Sequence, residues 1–302
     1  MTLTGFFISL SGSILFSTKA IMVKLAFNGT PTDALTLLML RMLFALPFYV
    51  LIAFWAAKKE NSQPLTSKQW LQIAGLGIIG YYLSSLFDFI GLQYVSAGLE
   101  RLILFLYPTF SVIINAKIFK TSLTKIQIAA LILTYVGIGI AYFGELKIDN
   151  SNPNFYFGSG MILLCAITYS LYLVGTGRIV KKVGDTRYTA YAMLFATLGV
   201  FIHFALKKPI NAVVLSPQLL WLSIGLAIIA TVVPSFLISN AMKKIGSNNV
   251  SIISSIGPVS TIIQAHFILG EQLFAEQLIG TLLVIAGVLL IGWKSSANNT
   301  IA

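Results

Sequence analysis

The sequence predicts an all-α polytopic membrane protein, ten transmembrane helices arranged as two inverted five-helix repeats. Three observations carry this expectation: the composition, the number of apolar runs, and a repeat of the chain on itself. Of 302 residues, 57% are hydrophobic and 10% charged, whereas soluble domains carry about a quarter charged residues. With a mean hydropathy of +0.89, this excludes an ordinary soluble domain. A helix that crosses a bilayer takes about 20 residues, so spans and short turns fill the chain and leave no room for an extramembrane catalytic domain.

Apolar runs separated by polar interruptions place the spans near residues 4–27, 34–57, 70–93, 98–116, 126–144, 157–177, 188–206, 217–242, 249–269 and 275–293. The first run, Leu3 to Phe27, has no basic residue ahead of it and is too long for a signal-peptide core, so it is read as an uncleaved span. Lys58 and Lys59 close the second span, and Lys68 precedes the third. Lys117 and Lys125 bracket the turn between the fourth and fifth spans, and Lys243 and Lys244 follow the eighth. Strands of a β-barrel would alternate in and out over about ten residues. Runs such as Ile128 to Val136 do not alternate.

The net charge of +11 would suggest nucleic acid if it formed one soluble face, but the basic residues are scattered between apolar runs. With ten spans and the N-terminus inside, the inner segments hold Lys58, Lys59, Lys68, Lys117, Lys120, Lys125, Arg178, Lys181, Lys182, Arg187, Lys243, Lys244 and Lys294. The outer ones hold only Lys147, Lys207 and Lys208. Such asymmetry is the mark of cytoplasmic loops, so both termini are expected in the cytoplasm.

A shift of 150 residues, without gaps, places Ile103 on Ile253, Pro108 on Pro258, Ile118 on Ile268, Leu123 on Leu273, Gln127 on Gln277, Leu133 on Leu283 and Gly137 on Gly287. The expected division is a first repeat over 1–144, a connecting loop over 145–156 and a second repeat with a short cytoplasmic tail over 157–302. Five spans per half is an odd number, so the second copy enters the membrane upside down. Inverted repeats of this kind build transporters whose ligand site lies near the midplane between the halves.

The two five-helix halves, the paired hairpins of spans four and five and of spans nine and ten, and Leu269-Gly270-Glu271 before the last helix together resemble the EamA-type branch of the drug/metabolite transporter superfamily. The likeness covers nearly the whole chain. The first half departs from it, with Lys120-Thr121 where a second Gly-Glu would stand. The resemblance implies a bacterial plasma-membrane permease, often an exporter of amino acids or related metabolites.

Charges inside spans are the strongest pointers to function, because each costs about 2.5–3.5 kcal/mol at a helix centre unless it finds a partner, water or an interface. Lys19, Lys24, Arg41, Asp88, Glu100 and Arg101 all fall in the outer half of the first repeat. Lys24, Glu100 and Arg101 are close enough to span ends to snorkel, whereas Lys19, Arg41 and Asp88 lie deeper. Helical spacing aligns Gly77, Tyr81, Ser84, Asp88 and Gly91 on one stripe of the third span and Glu100, Leu104, Tyr107, Pro108, Ser111 and Asn115 on the fourth. Ser13, Ser17 and Lys24 align on the first, and Cys165, Tyr169, Tyr172 and Thr176 on the sixth. Each stripe alone fits helix packing; together they fit a polar-aromatic cavity. Substrate-binding or coupling residues are therefore expected among Lys19, Arg41, Tyr81, Asp88, Glu100, Arg101, Tyr107, Tyr169 and Tyr172. Pro108 and Pro258 are expected to kink their helices at midplane by freeing the carbonyls of Leu104 and Ser254, with Pro47 and Pro234 as further kink positions.

Other motifs carry no function. Gly75-Leu-Gly77-Ile-Ile-Gly80 matches a dinucleotide fingerprint but follows no strand and lies within a span. His203 and His266 lack ligand-spaced partners, and the single cysteine, Cys165, allows neither an intrachain disulfide nor a thiolate cluster. No cofactor or metal is expected. The partners are the bilayer and a small molecule, possible anionic character following from the excess of Lys19, Lys24, Arg41 and Arg101 over Asp88 and Glu100. The sequence thus reads as a secondary transporter, not an enzyme, that moves a small carboxylate-bearing metabolite by alternating access, in the export direction. An intramembrane enzyme using Asp88 or Glu100 on a lipid-linked substrate is the alternative, and a passive channel a third. Asp88 either carries a proton or pairs permanently with Arg41 or Lys19.

Overall fold

The computed structural model describes residues 3–59, 64–119, 125–148, 152–209, 213–254 and 256–298, and every regular element among them is helical. The first half contains α1 (Leu3–Gly29), α2 (Ala34–Lys59), α3 (Ser67–Gly77), a π-helical segment (Ile78–Leu83), α4 (Ser84–Leu92), α5 (Ala97–Leu104), α6 (Tyr107–Phe119) and α7 (Lys125–Ile148). The second contains α8 (Phe155–Val183), α9 (Asp185–Lys207), α10 (Pro217–Ala227), a π segment (Ile228–Val232), α11 (Val233–Ser254), α12 (Gly257–Gln264), a π segment (Ala265–Leu269) and α13 (Ala275–Asn298). Eight helical stretches are long and apolar enough to cross a bilayer, and two shorter apolar ones cover Gly257–Leu269 and Ala275–Leu290. The protein is an all-α polytopic membrane protein. Its exposed large side chains are apolar, among them Phe7, Trp55, Leu71, Phe143, Trp221 and Phe267, as a surface facing hydrocarbon requires.

Helix starts follow local chemistry. Thr66 accepts a bond from Gln69 N while the Gln69 side chain accepts one from Thr66 N, a reciprocal cap for α3. Asp33 accepts from Leu35 N and Thr36 N to start α2, and Ser216 caps α10, whose first residue is Pro217.

The element bounds themselves recur at a spacing of 150 residues. Ser67–Gly77 corresponds to Pro217–Ala227, the π segment from Ile78 to that from Ile228, the helix end at Leu104 to that at Ser254, the start at Tyr107 to that at Gly257, and the start at Lys125 to that at Ala275. Equivalent helices α7 and α13 pack against each other and run antiparallel. Gly137 touches Gly280 and Val284, Thr134 and Ala130 touch Gly287, and Gly144 touches Glu276. Each half also lays its first helix on the other half's π-interrupted one: α1 packs on α10 and α11, α8 on α3 and α4. The two largest of the four apolar clusters among the described residues each draw on both halves. One joins Ala20, Leu37, Phe89, Met193 and Leu226; the other joins Leu102, Ile138, Ile162 and Val284.

One expectation needs correction. Pro108 and Pro258 do not kink continuous helices. The helix ends at Leu104, Phe105 and Leu106 form a turn, and Pro108 sits in the first turn of α6; likewise α11 ends at Ser254 and Pro258 opens α12. Proline lacks the N–H that a helix interior needs but that a first turn leaves unpaired, so a break two or three residues upstream satisfies more groups than a kink would. The turn expected between 242 and 249 falls inside the segment assigned as α11, Val233–Ser254. A straight helix would hold Ile238 and Ser254 about 24 Å apart at 1.5 Å per residue. Yet Ile238 packs on Gly12 and Ser254 bonds to the adjacent Ser13, Oγ to Oγ at 2.9 Å. The chain therefore reverses within α11.

A Cβ at Gly137 would lie 2.6 Å from the Gly280 carbonyl oxygen, whereas one at Gly139 would meet nothing within 4 Å. Gly137→Ala should then destabilise the solubilised protein by about 1–3 kcal/mol, and Gly139→Ala should leave its thermal unfolding unchanged; equal effects would contradict the helix crossing. A second expectation concerns Asp33, which pairs with Lys208 and accepts from the Thr36 hydroxyl. Burial opposes its ionised form, but the bonds from Lys208 and Thr36 outweigh burial and hold the carboxyl below the usual 3.8. Such a group contributes stability above its unfolded pKa and loses it as pH falls through the lower folded one. On acidification from about pH 6 to below the ordinary carboxylate range, the Tm of the wild type should fall further than that of Asp33→Asn.

Candidate functional site

Four helices of the first half bring charge into the bundle. Lys19 on α1 places its Nζ 2.6 Å from Asp88 Oδ2 on α4 and 3.9 Å from Glu100 Oε1 on α5; the two acidic side chains are 1% and 0% exposed. Arg41 on α2 is buried, donates to Ser85 Oγ at 2.9 Å and lies over the Phe89 ring at 5.1 Å. Arg101 extends to the second half, where its guanidinium rests against Gly257 at the start of α12. In the same region the Ser17 hydroxyl donates to the Gly257 carbonyl at 3.1 Å. The Nε atoms of Arg41 and Arg101 are buried without a hydrogen-bond acceptor among the described residues.

The aromatic candidates form an array beside these charges. Tyr107 meets Tyr169 edge to face with centroids 5.2 Å apart, Tyr169 stacks on Tyr172 at 5.8 Å, and Tyr172 stacks on Tyr188 at 6.4 Å. The Tyr172 hydroxyl donates to Tyr81 at 2.8 Å. Gly80, inside the π segment, permits this approach, since a Cβ there would lie 2.1 Å from the Tyr172 ring. The stripe Gly77, Tyr81, Ser84, Asp88 and Gly91 faces inward, but much of it serves packing. Gly77 lies on Ala192, Ser84 Oγ meets Cys165 Sγ at 3.2 Å, and Gly91 lies on Ile162. The histidines make local bonds, His203 with the Tyr82 hydroxyl and His266 with the Glu271 carbonyl.

A cavity of about 330 Å³ lies at one end of the bundle rather than around the charges, and none of the nine candidate residues lines it. Its walls include Lys24, Gln93, Ser96, Glu145, Glu271 and Gln277. Here the start of α5 is held by two carboxylates. Glu145 accepts from Ser96 N at 3.1 Å and from Ser96 Oγ at 2.6 Å, while Glu271 accepts from Ala97 N at 2.8 Å and Gly98 N at 3.3 Å. Carboxylates suit the positive end of a helix. Gly270 makes the Glu271 position reachable by adopting a left-handed φ of 71°. Lys120-Thr121, the departure in the first half, lies outside the described residues.

Sequence reasoning missed Tyr188, Ser85 and the two capping glutamates. Glu271 was visible within Leu269-Gly270-Glu271, but nothing in its spacing names α5 as its partner. Under the shift of 150, Ile238, Val250 and Tyr191 stand where Asp88, Glu100 and Arg41 stand in the first half, so these three charges have no charged counterparts at the equivalent positions.

An apolar helical bundle with an internal repeat and buried charges inside it defines a polytopic membrane transporter. The chain belongs to the EamA-like transporter family, whose profile matches residues 3–143 and 156–293, once in each half. It is 31% identical over 279 residues to the Uncharacterized transporter YcbK of Bacillus subtilis, covering 90% of this chain and 87% of that protein. It is 27% identical over 264 residues to an Uncharacterized transporter of Archaeoglobus fulgidus, covering 85% and 87%. The Uncharacterized inner membrane transporter YicL of Salmonella typhimurium is 21% identical over 95% of this chain and 94% of its own length. A solved crystal structure shares the fold, with a TM-score of 0.65 and 16% identity over 96% of this chain and 97% of that one.

Removing one member of a buried ion pair costs about 3–5 kcal/mol because the other is left without compensation. Lys19→Met and Asp88→Asn should each lower the Tm of the solubilised protein sharply, and the double variant should recover most of the loss. Additive losses in that cycle would deny the pairing an energetic role.

Proposed function

We propose that the protein is a secondary carrier that moves a small solute bearing an anionic group out of the cell by alternating access. Ten spans form two inverted halves, 1–144 and 157–302, joined by the 145–156 connection, with both termini cytoplasmic. The antiparallel course of α7 and α13, the bounds repeated at 150 residues and the two family matches support this arrangement. Residence in the inner membrane is supported by the name of the Salmonella relative.

The observation that carries the anionic substrate is the state of Arg101. Its guanidinium lies against the first residue of α12, where aligned peptide dipoles present positive potential, and its Nε has no acceptor among the described residues. Two positive groups face each other, a geometry that a carboxylate or phosphate between them relieves. Lys19, Arg41 and Arg101 outnumber Asp88 and Glu100 by one, which adds a net positive charge in surroundings of low dielectric. Tyr107 and Tyr169 flank this point and supply hydroxyls and ring faces for the rest of the solute. In this reading Asp88 is the ion-pair partner of Lys19 and keeps that ammonium in place, rather than a proton carrier.

Purified protein in liposomes loaded with a mixture of carboxylate and phosphate metabolites tests the reading by counterflow. Saturable exchange of an anionic solute is expected. Arg101→Gln and Arg41→Gln should raise its KM by about tenfold each, the equivalent of one charge-assisted hydrogen bond, with insertion unchanged. Exchange of neutral or cationic solutes only, or an unchanged KM in both variants, would overturn the anionic substrate.

A further inference from the structure

The two carboxylates on α5 differ in one respect. Glu145 stands near the end of α7, the last helix of the half that also holds α5, so their bond persists when the halves move relative to each other. Glu271 comes from the second half, between α12 and α13, and its bonds to Ala97 N and Gly98 N join one half to the other. The turn that presents Glu271 is itself fixed: Gly270 N bonds to the His266 carbonyl, Glu271 N to the Ala265 carbonyl, and His266 Nδ1 lies 2.9 Å from the Glu271 carbonyl oxygen. Glu100 and Arg101 follow within the same short helix, so holding its first turn sets their position. The cavity of about 330 Å³ opens beside this contact, so separation at this end would bring water or solute directly to α5. A second link between the halves, Asp33 with Lys208, lies at the same end of the bundle, since Lys24 near the end of α1 donates to Val95 O just ahead of α5.

We propose that Glu271 is a positioning residue of the transport cycle, a latch between the halves that holds the start of α5, and with it Glu100 and Arg101, while the outer end is closed and releases it when that end opens. This rests on the alternating-access reading but makes a claim that can fail independently of it. Ala97 and Val95 are buried at 0% and 2% exposure, so a cysteine at either position reports release by becoming open to reagent. The parent chain, whose Cys165 is buried, provides the blank.

The test is the rate of labelling by a membrane-impermeant maleimide added to the outer side of the full-length protein in membranes. With Ala97→Cys as reporter, Glu271→Gln should raise the rate by about tenfold, the equivalent of one charge-assisted hydrogen bond. Glu271→Asp, which keeps the carboxylate, should stay nearer the wild type, and Glu145→Gln, which removes the cap supplied from the same half, should not reproduce the increase. Val95→Cys repeats the measurement if Ala97→Cys does not fold. Equal increases from Glu145→Gln and Glu271→Gln would reduce both residues to helix caps and overturn the latch, as would no increase from Glu271→Gln at either reporter. Absence of exchange in the liposome assay would strike the transport reading and leave the labelling result to be read on its own. Loss of labelling contrast with exchange intact would strike the latch alone.

Discussion

The ion pair between Lys19 and Asp88 is the constraint around which the first half is arranged. An ammonium and a carboxylate withdrawn from water each lose several kcal/mol of hydration, and only close contact with one another offsets that loss. The contact draws α1 against α4. Glu100, held within reach of the same ammonium, brings in α5, and Arg41 stacks on Phe89 one residue beyond Asp88 on the opposite flank. Small side chains make this convergence possible. Ser84 meets Cys165, and Gly91 meets Ile162, so α8 can close over α4 without displacing the charges.

Polar backbone is the second constraint, because an apolar surrounding cannot hydrate a broken helix. The chain is broken in the middle of the bundle all the same, before Tyr107 and before Gly257, and serine hydroxyls gather there. Ser111 and Ser170 donate to the Tyr107 carbonyl at 2.8 Å each, and Ser17 donates to that of Gly257. The breaks therefore lie where polar side chains from neighbouring helices converge. That is also where the buried charges and the tyrosine array meet.

The all-helical membrane class was legible in the sequence because hydrophobicity along the chain records apolar runs directly. The positions of Lys19, Arg41 and Asp88 were legible for the same reason: a charge in an apolar run stands out against its neighbours. Partner choice was not. Whether Asp88 pairs with Lys19 or Arg41 depends on how α1, α2 and α4 are rotated, and the π segment ahead of α4 alters that rotation by an amount the residues Ile78–Leu83 do not announce. Pro108 and Pro258 were correctly seen as disruptive, but proline constrains only its own φ and the missing N–H. It does not specify whether the preceding residues bend or separate. Glu271 shows the same limit, since a glycine-glutamate turn reveals its own left-handed residue and not the distant helix it will cap.

The crossing of α7 and α13 has a symmetry of its own. The contact of Thr134 with Gly287 becomes, when each residue is exchanged for its counterpart 150 positions away, the contact of Val284 with Gly137, and both are present. A line that maps a pair of helices onto itself in this way is a rotation axis, and an axis is the set of points that a rotation leaves in place. Glycine against glycine at that line brings the two backbones together, Gly137 beside the Gly280 carbonyl. The crossing therefore lies on the line that exchanges one half for the other, where each helix meets its own counterpart.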